Sequence, residues 1–165
     1  MVAGRTAQEY NQRKKRNGAF WEDRYHATAI ESGKHLIRCM IYIDLNMVRA
    51  GAVRHPSEWP FSGYQEIQNP PKRGGLIDRA NLLKLCEEKD EGQLKNVLKK
   101  LMEEILAQDK MERESKWTDS VAIGDRLFVE ETKEKLGIKA KGRKIIAGNG
   151  EFKIREIQWI WVGPS

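Results

Sequence analysis

The run "CMIYIDLNMVRAG", Cys39 to Gly51, is apolar enough to be a helix on a core, yet it carries a tyrosine, an aspartate, an asparagine and an arginine within the same few turns. Ser32 in "ESGKHL" offers a helix N-cap and Gly51 a stop, so the pattern predicts a helix from Gly33 or Lys34 to Ala50. Leu36, Ile37, Met40, Ile41, Leu45 and Val48 recur along it at three- and four-residue spacing, as on a helix with one face on a core. On the polar side Tyr42 and Asn46 are four apart, Arg38 precedes Tyr42 by four, and Arg49 follows Asn46 by three. Helical geometry therefore places Arg, Tyr, Asn and Arg in one stripe.

A phenol next to an amide, bracketed by cations, suits binding of and attack on a phosphodiester. The phenol is a nucleophile, the asparagine carbonyl oxygen can ligate a hard divalent cation, and arginines hold phosphate oxygens. Spacing alone favours a plainer reading: Tyr42 as a half-buried aromatic, Asn46 as a helix-end hydrogen-bonder and Arg49 as a surface cation.

Upstream, "VAGRTAQEYNQRKK" is a helix candidate ending in the basic cluster Arg13, Lys14, Lys15 and Arg16, before the Asn17-Gly18 turn signal. "AFWEDRYHATAI" mixes aromatic and β-branched residues in near-alternation and reads as a strand. Downstream, Pro56, Pro60, Pro70, Pro71, Gly74 and Gly75 interrupt regular structure, with Trp59, Phe61 and Tyr64 expected to pin this loop to the domain. The segment Asn69 to Gly75 is the candidate boundary. Beyond it "LIDRANLLKLCEE" and "EGQLKNVLKKLMEEILAQDKMERE" are amphipathic helix candidates, and "DSVAIGDRLFVEETKEKLG" reads as a further helix. Two alternating runs around Gly148-Asn149-Gly150 predict a β-hairpin.

The chain has 165 residues, enough for one compact domain or a small domain with an appendage. No apolar run approaches the roughly 18 residues of a membrane span, and no charged-then-apolar leader opens the chain, so a soluble, cytoplasmic protein without a membrane partner is expected. Cys39 and Cys86 lack CxxC or Cys/His neighbours, which fits reduced core thiols better than a disulfide framework or zinc site. The formal net charge is +6, and it is uneven: residues 1–73 carry twelve Lys/Arg against seven Asp/Glu, residues 74–165 eighteen against seventeen. The first part is where a polyanion is expected to sit.

Gly4 to Tyr64 combines an aromatic-acidic strand motif, "WEDRY", with "YIDLNMVRAG" and then "PSEWPFSGY". In that order these motifs resemble the C-terminal half of the REP-associated tyrosine transposases, within the insertion-sequence-200-like superfamily of single-tyrosine transposases. The resemblance implies a ferredoxin-like α+β domain that binds hairpin-forming single-stranded DNA. It also implies nicking through a 5′-phosphotyrosine with Mg²⁺ or Mn²⁺, with Tyr42 as nucleophile and Asn46 as a metal ligand.

The histidine-hydrophobic-histidine pair that gives the family its other two metal ligands is not found: His26, His35 and His55 are never one residue apart. Each reads instead as a surface or capping histidine. The expectation is therefore a partial ferredoxin-like transposase domain over residues 1–73, N-terminally truncated so that the histidine-pair half is missing. A mainly helical extension over residues 74–165 ends in the β-hairpin. Such a chain is expected to cleave DNA poorly by itself and to seek a second copy or a complementing chain. Arg13, Lys14, Lys15, Arg16, Arg24, Arg38 and Arg49 are the expected phosphate contacts, with Trp21 and Tyr25 as stacking platforms for unpaired bases. The rivals are a non-catalytic nucleic-acid-binding remnant and a decayed gene product with marginal folding.

Overall fold

A computed structural model describes residues 2–15, 27–108, 112–148 and 150–156. They form α1 (Val2–Lys14), β1 (Ala29–Ile30), α2 (Lys34–Asp44), α3 (Asn46–Arg49), α4 (Gly63–Gln68), α5 (Arg79–Cys86) and α6 (Glu91–Ala107). After these come α7 (Lys116–Asp119), β2 (Ser120–Gly124), α8 (Arg126–Leu136), β3 (Arg143–Gly148) and β4 (Glu151–Glu156), with 3-10 turns at Pro56–Glu58 and Gly137–Ala140. The architecture is α+β, with a mixed four-stranded sheet in the order β1-β2-β4-β3.

The helix of the opening stretch begins at Lys34, within the expected start, with its cap one residue later than expected. Gly33 is the N-cap at φ +68, a conformation that suits a residue without Cβ, and its N–H donates to the Leu85 carbonyl at 2.7 Å. Ser32 makes no cap; its hydroxyl reaches Glu87 Oε1 instead. The helix pauses at Leu45 and resumes as α3, ending in a Schellman motif. There Ala52 N–H bonds the Met47 carbonyl at 3.0 Å and Gly51 N–H the Val48 carbonyl at 2.9 Å, with Gly51 at φ +70.

α2 is buried on two sides. Ile37, Ile41 and Leu45, four apart, join Tyr64 and Ile67 of α4, Cys86 of α5, and Leu94, Leu98 and Met102 of α6 in the largest core cluster. Cys39 and Tyr42 point the other way and pack on Trp117 and Ile123 beside the sheet, with Ile30 against them. A helix held between two layers needs apolar residues around most of its girdle, which explains the near-continuous hydrophobicity.

Val121 to Gly124 was expected within a helix over residues 119–137; the structure divides that segment. Ser120–Gly124 is a strand because it has partners on both sides, parallel to β1 (Ala29↔Ala122, Ile30↔Ile123) and antiparallel to β4 (Ala122↔Ile154, Ile123↔Lys153). Asp125 then caps α8, its Oδ1 accepting from Phe128 N–H at 2.8 Å. The hairpin expected around residue 149 is present as β3 and β4, with Gly148 opposite Glu151. α8 covers one sheet face through Ala122, Val129, Ile154, Phe128 and Ile145.

Elements from both sides of residue 73 share these layers: β1 pairs with β2, and α2 packs on α5 and α6. Of the three loop aromatics, Tyr64 is buried, Trp59 is half-buried, and Phe61 is 83% exposed with its ring edge-on to Trp59 at 5.6 Å. Tyr64, with buried Pro56, holds the loop to the core, and Phe61 does not.

Candidate nucleic-acid interface

The polar residues of the opening stretch have separate tasks. Asp44, 9% exposed, is the least expected core group. Its Oδ1 accepts from Tyr64 N–H at 3.1 Å, and Gly63 N–H also bonds the carboxylate, so it serves the first turn of α4 together with the Ser62 cap. Burial raises its pKa, against the two backbone N–H groups that favour the charged form. Asp44 thus ties "YID" to "SGY".

Tyr42 is 8% exposed, its ring centroid 6.0 Å from that of Trp117 at a 35° tilt. On its other flank Arg49, two turns along the helix, sets its guanidinium carbon 4.2 Å from the ring centroid. Arg49 Nη2 donates to the Tyr42 carbonyl at 2.6 Å and to Asn46 Oδ1. One cation therefore closes the end of α2, stacks on the phenol ring and occupies the amide oxygen, worth on the order of 1–2 kcal/mol for the cation–π contact at a partly desolvated site.

Arg38, Tyr42 and Arg49 form one wall of a cleft of about 790 Å³. Leu101 and Ile105 of α6 and the segment Glu112 to Trp117 complete it. Arg38 is exposed and has no ion-pair partner among the described residues. Lys116 opposite is held by Glu114 at 2.7 Å and Glu151 at 3.0 Å, and its Nζ stands 4.8 Å from the Trp117 ring centroid. Burial opposes its charge, but the two carboxylates outweigh burial and raise its pKa. Asn46 is exposed and is not part of the cleft wall.

Arg13, Lys14 and Lys15 are exposed at the end of α1, with Glu9 within 4.0 Å of Arg13. Arg16, Trp21, Arg24 and Tyr25 lie outside the described residues, as does His26. His35, expected at the surface or in a cap, is 1% exposed in the core. Its Nε2 lies 3.4 Å from Glu31 Oε2, which also accepts from Asp125 N–H at 2.6 Å. Burial lowers the His35 pKa despite Glu31. His55 is a cap: Nδ1 accepts from Ser57 N–H at 3.1 Å. Both cysteines are buried thiols, Cys86 pushed up to about 11 by burial and by Glu88. Such thiols are inert.

The residues around Tyr42 do not fit Mg²⁺ or Mn²⁺. A hard divalent ion needs several oxygen ligands, whereas the Asn46 oxygen is bonded to a guanidinium. Among the described residues no three His, Cys, Asp or Glu side chains converge on a metal position.

Lys116 and Trp117 were not singled out from the sequence. The only signal was a lone tryptophan closing the charged run "DKMERESKW", and nothing local says it will meet Tyr42. Comparison with protein-family models, curated proteins and solved structures finds no match to this chain. No described helix is long and apolar enough to cross a membrane.

Proposed function

We propose that this chain binds hairpin-forming single-stranded DNA in the cytoplasm, and that without a complementing chain or second copy it does not cut the DNA. In this reading it is similar to the single-tyrosine transposases and keeps part of their ferredoxin-like domain. The observation that carries it is the engagement of Arg49: stacked on Tyr42 and bonded to Asn46, it takes the place of the cation that strand cleavage would require there. What is left for ligand is charge. Arg38 at the cleft and Lys14 and Lys15 have no ion-pair partner among the described residues. Such groups neutralise phosphates without reading sequence.

The test combines covalent trapping with binding. Labelled hairpin DNA is incubated with the protein and Mn²⁺, a denaturing gel is read for adduct, and anisotropy is followed from low to high salt. The reading expects salt-sensitive binding, no adduct, and the same affinity for Tyr42→Phe. An adduct that needs Tyr42 and metal would overturn the non-cleaving part, and absent binding at low salt would overturn the DNA reading itself.

A further inference from the structure

The sheet has two unlike faces. In the row Ala122, Ile154, Ile145 the side chains turn towards α8 and are covered. The neighbouring row runs Ile123, Lys153, Ile146, and beyond it Arg155 stands opposite Lys144. Antiparallel partners share a face, so these residues lie on the side away from α8. Among the described residues that face is closed where Ile123 packs on Tyr42 and Trp117 and where Lys116 covers Glu151. Towards β3 it opens: Lys144 is exposed and Ile146 is 42% exposed.

The charge on this open part works against the hairpin. Lys144 and Arg155 are cations directly opposite each other across two strands, an arrangement that costs stability. Arg155 has relief from Ser115 Oγ at 2.6 Å and Asp119 at 3.9 Å, residues that flank Lys116 and Trp117 of the cleft. Neither Lys144 nor Lys153 has an ion-pair partner among the described residues.

We propose that this uncovered sheet face is a second phosphate-contacting surface, a track by which a single nucleic-acid strand leaves the Arg38–Lys116 cleft past Arg155 and is held by Lys153 and Lys144. The inference rests on the DNA reading above and adds a surface that reading does not use. The partner chemistry follows from charge: Glu151, on the same face of β4, is buried and bound by Lys116, and Asp119 lies beside Arg155, so Lys144 and Lys153 around Ile146 are the cations left over, which suits a chain of phosphates. An anionic lipid surface is the competing occupant.

The full chain and two variants, Lys144→Gln/Lys153→Gln and Lys144→Glu, are titrated with fluorescent oligothymidylate at several salt concentrations and with vesicles rich in phosphatidylserine. For the double variant the slope of log affinity against log salt falls by about 1.4, two contacts at about 0.7 each on a single strand. For Lys144→Glu affinity falls while the melting temperature rises, because an opposite charge now faces Arg155; a merely structural lysine would not separate the two. Wild-type binding with an unchanged slope in the double variant overturns the track and leaves the DNA reading standing. No oligothymidylate binding by any form overturns the track, and so does binding to vesicles alone, while the hairpin titration above decides the DNA reading separately.

Discussion

Asp44 shows how a motif residue can be essential without touching ligand. Its carboxylate serves two backbone N–H groups at the start of α4, so Asp44→Ala leaves Tyr64 N–H buried and unpaired. A loss of about 1–3 kcal/mol in urea denaturation is expected. Asp44→Asn keeps the accepting oxygen and removes a charge that burial disfavours, so its midpoint should stay close to wild type. His35 gives the pH dependence. Its folded pKa lies below the ordinary 6.5, so the unfolded chain binds its proton first. Stability present above pH 6.5 is therefore lost as pH falls from 6.5 through the lower folded value. The groups around it are Glu31, Lys34, Glu151 and Arg38. Thermal melts from pH 7.5 to 5 should show the fall, and His35→Gln should flatten it in that window. The stripe Arg38, Tyr42, Asn46, Arg49 was legible because helical spacing is local. That Arg49 would fold back on Tyr42 was not legible, because a long side chain chooses among rotamers by what surrounds it.

At the scale of elements, α5 and α6 were legible from their amphipathic periodicity; the structure adds their caps, Asp78 and Asp90, each accepting a backbone N–H three residues on. The hairpin was legible from glycines and alternation. The strand β2 was not. "SVAIG" is short and apolar, a pattern that strand and buried helix share, and pairing on both edges decided it. The corner between β2 and α8 is tight: a Cβ on Gly124 would lie 2.5 Å from Phe128 Cδ1 and 2.8 Å from Glu31 Cβ. Gly124→Ala is therefore expected to cost about 1–3 kcal/mol, measured by denaturation, from overpacking between the sheet and α8. Gly148→Ala, where an added Cβ would meet the end of the flexible Lys153 side chain no closer than 4.0 Å, is the control without a packing clash.

For the whole molecule, the layers mix residues far apart in sequence. Tyr42 meets Trp117, Ile30 lies beside Ile123, and α2 packs between the helices and the sheet. A fragment of residues 1–73 lacks β2, α5 and α6, and is expected to show no cooperative melt by circular dichroism; a sharp transition in that fragment would mean that it carries a sufficient core of its own. By itself the sequence determined the helix of the opening stretch, the charge surplus, the hairpin and the polar stripe. All of these rest on periodicity, capping or composition, which act over a few residues. Tertiary structure alone decided that Asp44 is a cap, that His35 is core, that residues 120–124 form a strand and that Trp117 closes on Tyr42. Those outcomes depend on which surfaces meet, and burial and strand pairing join groups whose separation along the chain carries no local signal.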